Sequence, residues 1–259
     1  MILTNDFVFI NYPKTGSTFV RYILDYIHAI EENGKPKYSF KNYKRIDHKN
    51  IRAINRTDLT PHGVLSQIPI SHINKPIISI ERNIFDRLIS LYEYGFWKKN
   101  PSFPMLEILD LYPDFPKLSF PKYLDYIYDF LPYRSDNRFS YLPDYGLLSI
   151  DFIMFFSSLD PVKELNSWDT GAEENFFKSL KEIQFIDFSK LRSELYATLI
   201  NFGYDSQDLK VILNSDPINI SHNRCPNRSY FNDSLIKKIK KREYIVLEAF
   251  NKYLNNVNY

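Results

Sequence analysis

Apolar positions along this 259-residue chain change their period several times, and the changes mark its elements. Phe7-Val8-Phe9-Ile10 is a short continuous apolar run, predicted as a buried strand. It breaks at Asn11-Tyr12-Pro13. Helical spacing then takes over, with Phe19, Ile23, Tyr26, Ile27 and Ile30 on one face. This predicts a helix over 17–32, stopped by Asn33-Gly34. Lys75-Pro76 leads into Ile77-Ile78-Ser79-Ile80, a second buried strand, and a helix follows over 84–97. Residues 120–131 read as a helix, with Ser119 as cap, Pro121 in the first turn and Pro132 just past the end. Residues 151–156 (DFIMFF) are predicted as a third strand. A helix over 191–202 ends at Gly203, and 235–254 reads as one basic amphipathic helix.

Candidate chemistry sits at two joints of this pattern. Lys14-Thr15-Gly16-Ser17-Thr18 lies between the first strand and the first helix. The first N–H groups of a helix lack internal partners, and the helix dipole is positive there. A lysine, a glycine and two hydroxyls at that point make a phosphate cradle. The plainer alternative is an ordinary turn with a Ser/Thr cap. The lysine precedes the glycine, so this is not the GxxxxGK[ST] loop. The second joint is Arg82 to Tyr92. Arg82 at a strand's carboxyl end offers a two-pronged donor for phosphate, and Ser90 adds a neutral one. Ligands of open α/β sheets bind at such strand ends. Taken alone, Arg82 also fits a surface ion pair with Glu81 or Asp86.

Tyr12-Pro13-Lys14-Thr15-Gly16-Ser17-Thr18 resembles, without a gap, the 5′-phosphosulfate loop of the sulfotransferases that use 3′-phosphoadenosine 5′-phosphosulfate (PAPS). Arg82-Asn83-Ile84-Phe85-Asp86-Arg87, with Ser90 and Tyr92, is similar to the same family's 3′-phosphate motif, with Ile84 where proline is usual. The likeness is to soluble, bacterial-type members. It covers the first hundred or so residues well and the last seventy loosely. It implies a single α/β domain over 1–259: three layers, a short central parallel sheet flanked by helices, and a P-loop-like phosphate site. It also implies that Lys14, Thr15, Gly16, Ser17 and Thr18 hold the 5′-phosphosulfate, that Phe19 stacks near the adenine, and that Arg82 and Ser90 hold the 3′-phosphate. Residues 219–230 (NISHNRCPNRSY) resemble the segment over the donor's adenosine end, which adds Arg228 and Ser229; the cytosolic family's Arg-Lys-Gly triplet is absent. A further family strand matches both 151–159 and 185–191, and neither carries its acidic residue.

The implied reaction moves a sulfuryl group from PAPS to an acceptor hydroxyl or amine and releases 3′,5′-ADP (PAP), without an obligatory metal. Lys14 would neutralise the leaving phosphate. His62 lies twenty residues before Arg82, as the base histidine does in cytosolic members; Asp47 or Glu93 is the carboxylate alternative. A kinase-like nucleotide-binding protein would need a Mg²⁺ carboxylate and a GK[ST] loop, which the sequence does not display. A donor-binding module without turnover is a third reading.

Composition narrows the setting. Net charge is +2, which gives no overall argument for nucleic acid or an anionic membrane. The single cysteine, Cys225, excludes an internal disulfide and fits a reducing compartment. Neither a signal-peptide pattern nor an apolar run of about 18 residues occurs, so the expectation is a cytoplasmic enzyme. Residues 101–150 hold 7 of the 15 prolines and many aromatics. They are the candidate acceptor-site region, for a small molecule; packing of these rings into a core is the equal alternative. The basic run at 41–56 is ordinarily a solvated face and otherwise favours an oligosaccharide acceptor. Oligomeric state stays open.

Overall fold

The structure, a computed structural model, describes residues 1–32, 35–38, 44–45, 62–101, 104–130, 145–158, 170–217 and 230–252. Its strands are β1 (Ile2–Leu3), β2 (Val8–Phe9), β3 (Glu31–Glu32), β4 (Lys35–Pro36), β5 (Lys44–Arg45), β6 (Ile77–Glu81) and β7 (Ile183–Asp187). The helices are α1 (Ser17–His28), α2 (Ile84–Tyr94), α3 (Phe96–Lys99), α4 (Met105–Leu111), α5 (Phe120–Asp129), α6 (Leu147–Phe156), α7 (Thr170–Ser179), α8 (Leu191–Asn201), α9 (Lys210–Asn214), α10 (Asp233–Arg242) and α11 (Tyr244–Lys252). The described residues divide into two compact units.

The first unit draws on Met1–Lys49, Asp58–Arg82 and Lys181–Ile220, and it is α/β. Its sheet has the order β5-β1-β2-β6-β7. β2 pairs parallel with β6, and β6 with β7; β1 runs antiparallel to both β2 and β5. The sheet is therefore mixed, where the expectation was parallel. Thr4 is the reason. Its hydroxyl donates to the Phe7 carbonyl at 2.8 Å and accepts the Phe7 N–H at 2.9 Å. A turn that tight returns the chain antiparallel, since a parallel connection needs a dozen or more residues. Met1, Ile2 and Leu3 are buried and extend the sheet before the first predicted strand.

Helix α1 ends at His28, short of the expected 17–32, because Glu31–Glu32 pairs with Lys35–Pro36 as a small hairpin. Phe19, Val20, Ile23, Leu24 and Ile27 of α1 pack with Phe9, Ile78, Ile80 and Ile186 of the sheet and with Leu195 and Leu199 of α8. Ile78 and Ile80 enter this core while Ser79 and Glu81 alternate with them along β6.

The second unit draws on Asn83–Leu180 and Ser221–Tyr259, and its described elements are helices. Here the third predicted strand is corrected: 151–156 is the second half of α6. Nine of that helix's ten residues are buried, all but Asp151, so it is apolar all round. A short apolar run carries no period that separates a buried helix from a buried strand. Its one charged residue, Asp151, lies 3.6 Å from the buried Arg87 guanidinium of α2. The helix expected over 84–97 breaks at Gly95, which is left-handed with φ 64°. That expected over 235–254 breaks at Glu243. No helix among the described residues is long and apolar enough to cross a membrane.

At this break the Glu243 side chain serves another helix. Fully buried, it accepts the Ser149 N–H at 2.8 Å in the first turn of α6 and the Tyr128 hydroxyl at 3.0 Å. A carboxylate at a helix N-terminus satisfies orphan N–H groups and meets the positive end of the dipole. Gly146 leaves room for it; a Cβ there would overlap the carboxylate. Glu243→Ala should cost about 3 kcal/mol, since two buried donors lose their acceptor. Chemical denaturation checks this, and a variant as stable as the wild type would remove Glu243 from that role.

Candidate functional site

The first unit gathers Lys14, His62 and Arg82 around the segment between β2 and α1. Lys14 adopts φ 63° and Gly16 φ 91°, both left-handed. That conformation costs a residue with a Cβ roughly 1–2 kcal/mol, so Lys14 must be held in it. Two hydrogen bonds hold it. Thr15 is buried and its hydroxyl donates to the Tyr12 carbonyl at 2.8 Å. Arg82 Nη1 donates to the Lys14 carbonyl at 3.0 Å. Gly16 has a second reason to be glycine: a Cβ there would come within 2.8 Å of the Phe188 ring and 3.1 Å of Leu191. The Phe188 ring also lies 4.4 Å below the Arg82 guanidinium carbon.

Gly16 is also the N-cap of α1. No acidic residue occupies the first turn of α1, so no side chain of that turn offsets its positive end. Ser17 is buried at this end, and the Thr18 hydroxyl accepts from Arg21 Nη2 at 3.1 Å. A turn with two left-handed residues at a helix start presents backbone N–H groups to an anion. The arrangement fits a phosphate: N–H groups and hydroxyls, a lysine, and a buried arginine tied to the turn.

His62 meets the same segment. Its Nδ1 lies 2.6 Å from the Asn11 carbonyl, which can only accept, so Nδ1 carries the proton. In the neutral ring Nε2 is then the basic nitrogen. Of the carboxylate alternatives, Glu93 accepts the Tyr230 hydroxyl at 2.5 Å in the second unit, and Asp47 lies outside the described residues.

Other expected site residues are placed differently. Phe19 is buried in the core, with the Arg192 guanidinium carbon 4.9 Å over its ring. That is the place of a packing residue and not of an open platform for adenine. Ser90 lies half-buried in α2 of the second unit. Arg228 and Ser229 lie outside the described residues, as does the basic run 41–56 except for residues 44–45. Within the 82–92 motif, three residues have structural work: Asn83 caps α2 by accepting from Phe85 N–H at 2.9 Å, Arg87 pairs with Asp151, and Tyr92 donates its hydroxyl to the Leu118 carbonyl at 2.9 Å. Arg82 itself is buried, so the surface ion pair does not describe it.

Sequence reading missed two residues here. Phe188 is the first; the family-like stretch 185–191 was its signal. Glu81 is the second. It is 8% exposed, and among the described residues its buried Oε2 has no hydrogen-bond partner. Burial, then Asp187 and Glu194, pushes it up to about 7, with Lys190 opposing. A partly protonated acid beside Arg82 lowers the negative potential near an anion site.

Comparison with known proteins finds no matching family model, no similar curated protein and no similar solved structure. Among the described residues no group of three His, Cys, Asp or Glu side chains is placed to hold a metal ion.

The raised Glu81 value fixes a pH dependence. A carboxyl easier to protonate when folded stabilises the fold fully below its unfolded value near 4.5, and this contribution is lost as pH rises to about 7. Urea unfolding between these limits should show stability falling with pH, and Glu81→Gln should remove roughly 1–3 kcal/mol of that fall. Identical slopes for the two proteins would refute the assignment.

Proposed function

We propose that this chain is a PAPS-dependent sulfotransferase with a P-loop-like phosphate site in a sulfotransferase fold. The supporting observation is the left-handed Lys14–Gly16 turn at the positive end of α1, bonded through the Lys14 carbonyl to Arg82. The two sequence motifs that resemble the family's donor-binding segments therefore meet in one hydrogen bond. In this reading Lys14, Thr15, Gly16, Ser17 and Thr18 hold the 5′-phosphosulfate. Arg82 holds the 3′-phosphate, and the resemblance adds Ser90, Arg228 and Ser229.

The reaction forms a bond from the acceptor oxygen (or nitrogen) to sulfur and breaks the bond from sulfur to the bridging phosphate oxygen. The electron pair leaves with PAP, whose phosphate charge Lys14 offsets. The acceptor's proton goes to His62 Nε2, the nitrogen left basic by the Nδ1–H bond to Asn11. No step requires a metal. The acceptor is a small-molecule alcohol or amine. A reducing, cytoplasmic setting belongs to the reading and rests on the single cysteine.

Sulfate transfer from radiolabelled PAPS to a panel of alcohols, phenols and amines tests the activity. On an acceptor so found, His62→Ala should lower kcat about a hundredfold or more and leave PAP affinity within about twofold. Near-normal kcat would make His62 a structural tie to Asn11. Arg82→Ala should weaken PAP at least roughly tenfold more than it weakens 5′-AMP, because charge-assisted bonds to the extra phosphate are lost. Equal losses for the two nucleotides would mean that Arg82 only braces the turn.

A further inference from the structure

Glu81, the last residue of β6, faces the joint between β7 and α8, and that joint packs on the turn before α1. Glu81 and Asp187 are register partners at the ends of two parallel strands. Adjacent strands lie about 4.8 Å apart, and partners in register send their side chains to the same face. Asp187 is already committed. Its Oδ1 accepts the Ser189 N–H at 2.7 Å and so caps the single 3₁₀ turn Phe188–Lys190. Its own N–H goes to Glu194 Oε2, in the first turn of α8, at 2.8 Å. Both carboxyl groups serve as acceptors, which suits the ionised form.

The residues after Asp187 close on the Lys14–Gly16 turn. A Cβ on Gly16 would come within 2.8 Å of the Phe188 ring and 3.1 Å of Leu191. The same ring lies 4.4 Å from the Arg82 guanidinium carbon, and Arg82 holds the Lys14 carbonyl. Phe188 directly follows Asp187, so a shift at the cap reaches the turn through one residue.

Glu81 is the third acid of this group, and it is buried. In its neutral form it adds no charge. Ionised, it sets another negative charge beside Asp187 and Glu194 in a place shielded from water, where hydration is lost and repulsion is strong. Lys190 opposes that charge from the 3₁₀ turn, and Arg82 follows on the same strand. On the other side of β6, the chain after β2 brings Asn11, Tyr12 and, through the Asn11 carbonyl, His62. Burial first, then Asp187 and Glu194, push Glu81 up to about 7. Above that pH, drawing the joint away from β6 relieves the repulsion, and Phe188 and Leu191 move with it.

We propose that Glu81 is a proton-operated latch: protonated, it lets the β7–α8 joint close on the Lys14–Gly16 turn, and ionised, it pushes the joint off. The latch acts on the empty turn, and its test contains no nucleotide, so its failure and that of the donor reading are separate results.

NMR of the whole chain tests it between about pH 5.5 and 8.5. The Glu81 carboxyl carbon should titrate near 7, and the Gly16 and Asp187 amide resonances should follow with the same midpoint. Amide exchange reads the opening. Protection at Asp187 and Phe19, whose N–H groups bond Glu194 Oε2 and the Gly16 carbonyl, should fall at least about tenfold between about pH 6 and 8 relative to Leu24 inside α1. Glu81→Gln is neutral at every pH and should abolish both changes. A Glu81 carboxyl that does not titrate in this range, or amides that stay flat while it titrates, would overturn the proposal. Changes that persist in a folded Glu81→Gln protein would also overturn it and assign them to His62. If that variant does not fold, the wild-type midpoints decide: amide midpoints that match the Glu81 carboxyl support the latch, and midpoints that match the His62 ring or neither group overturn it.

Discussion

One hydrogen bond, from Arg82 Nη1 to the carbonyl of Lys14, holds the arrangement on which the site depends. Lys14 is the only non-glycine with positive φ among the described residues. A left-handed lysine is unfavourable by itself and persists only where its surroundings fix it. Arg82 supplies that constraint from the end of β6, and Phe188 supplies another by packing against Gly16. With the turn fixed, the start of α1 has a defined backbone, and the first N–H groups of a helix have no partner within it.

The electrostatics follow from the same geometry. The start of α1 carries no acidic side chain, and Arg82 is buried against the turn. The carboxyl of Glu81, at the end of β6, is driven towards its neutral form by burial and by Asp187 and Glu194. The left-handed turn thus lies at the positive end of a helix, next to a buried arginine. An anion bound there would meet preorganised donors.

Much of this was legible in the sequence, because it is local. The Phe7–Ile10 run, the turn and the periodic residues of α1 are neighbours in the chain, and so are Ile77–Ile80, Asn83 and α2. The rest depends on distant partners. Residues 151–156 have no period that reports how they are buried, and only packing made them a helix. Glu243 looks like one more polar residue on a basic helix until Ser149 and Tyr128 meet its carboxylate. The mixed sheet came from a four-residue turn at Thr4 that a reading starting at Phe7 passed over. Phe19 fitted a family position yet went to the core, because its spacing with Ile23 and Ile27 is that of the buried face.

The central claim is that this turn recognises a nucleotide carrying both a 5′- and a 3′-phosphate. Isothermal titration calorimetry of the whole chain in EDTA tests it most directly, with PAP and ATP compared in the same buffer. Saturable one-site binding of PAP is expected, at least about tenfold tighter than ATP, because each charge-assisted phosphate contact contributes about 1.5–3 kcal/mol. No heat with PAP, or ATP binding that equals it or appears only when Mg²⁺ is restored, would contradict the account.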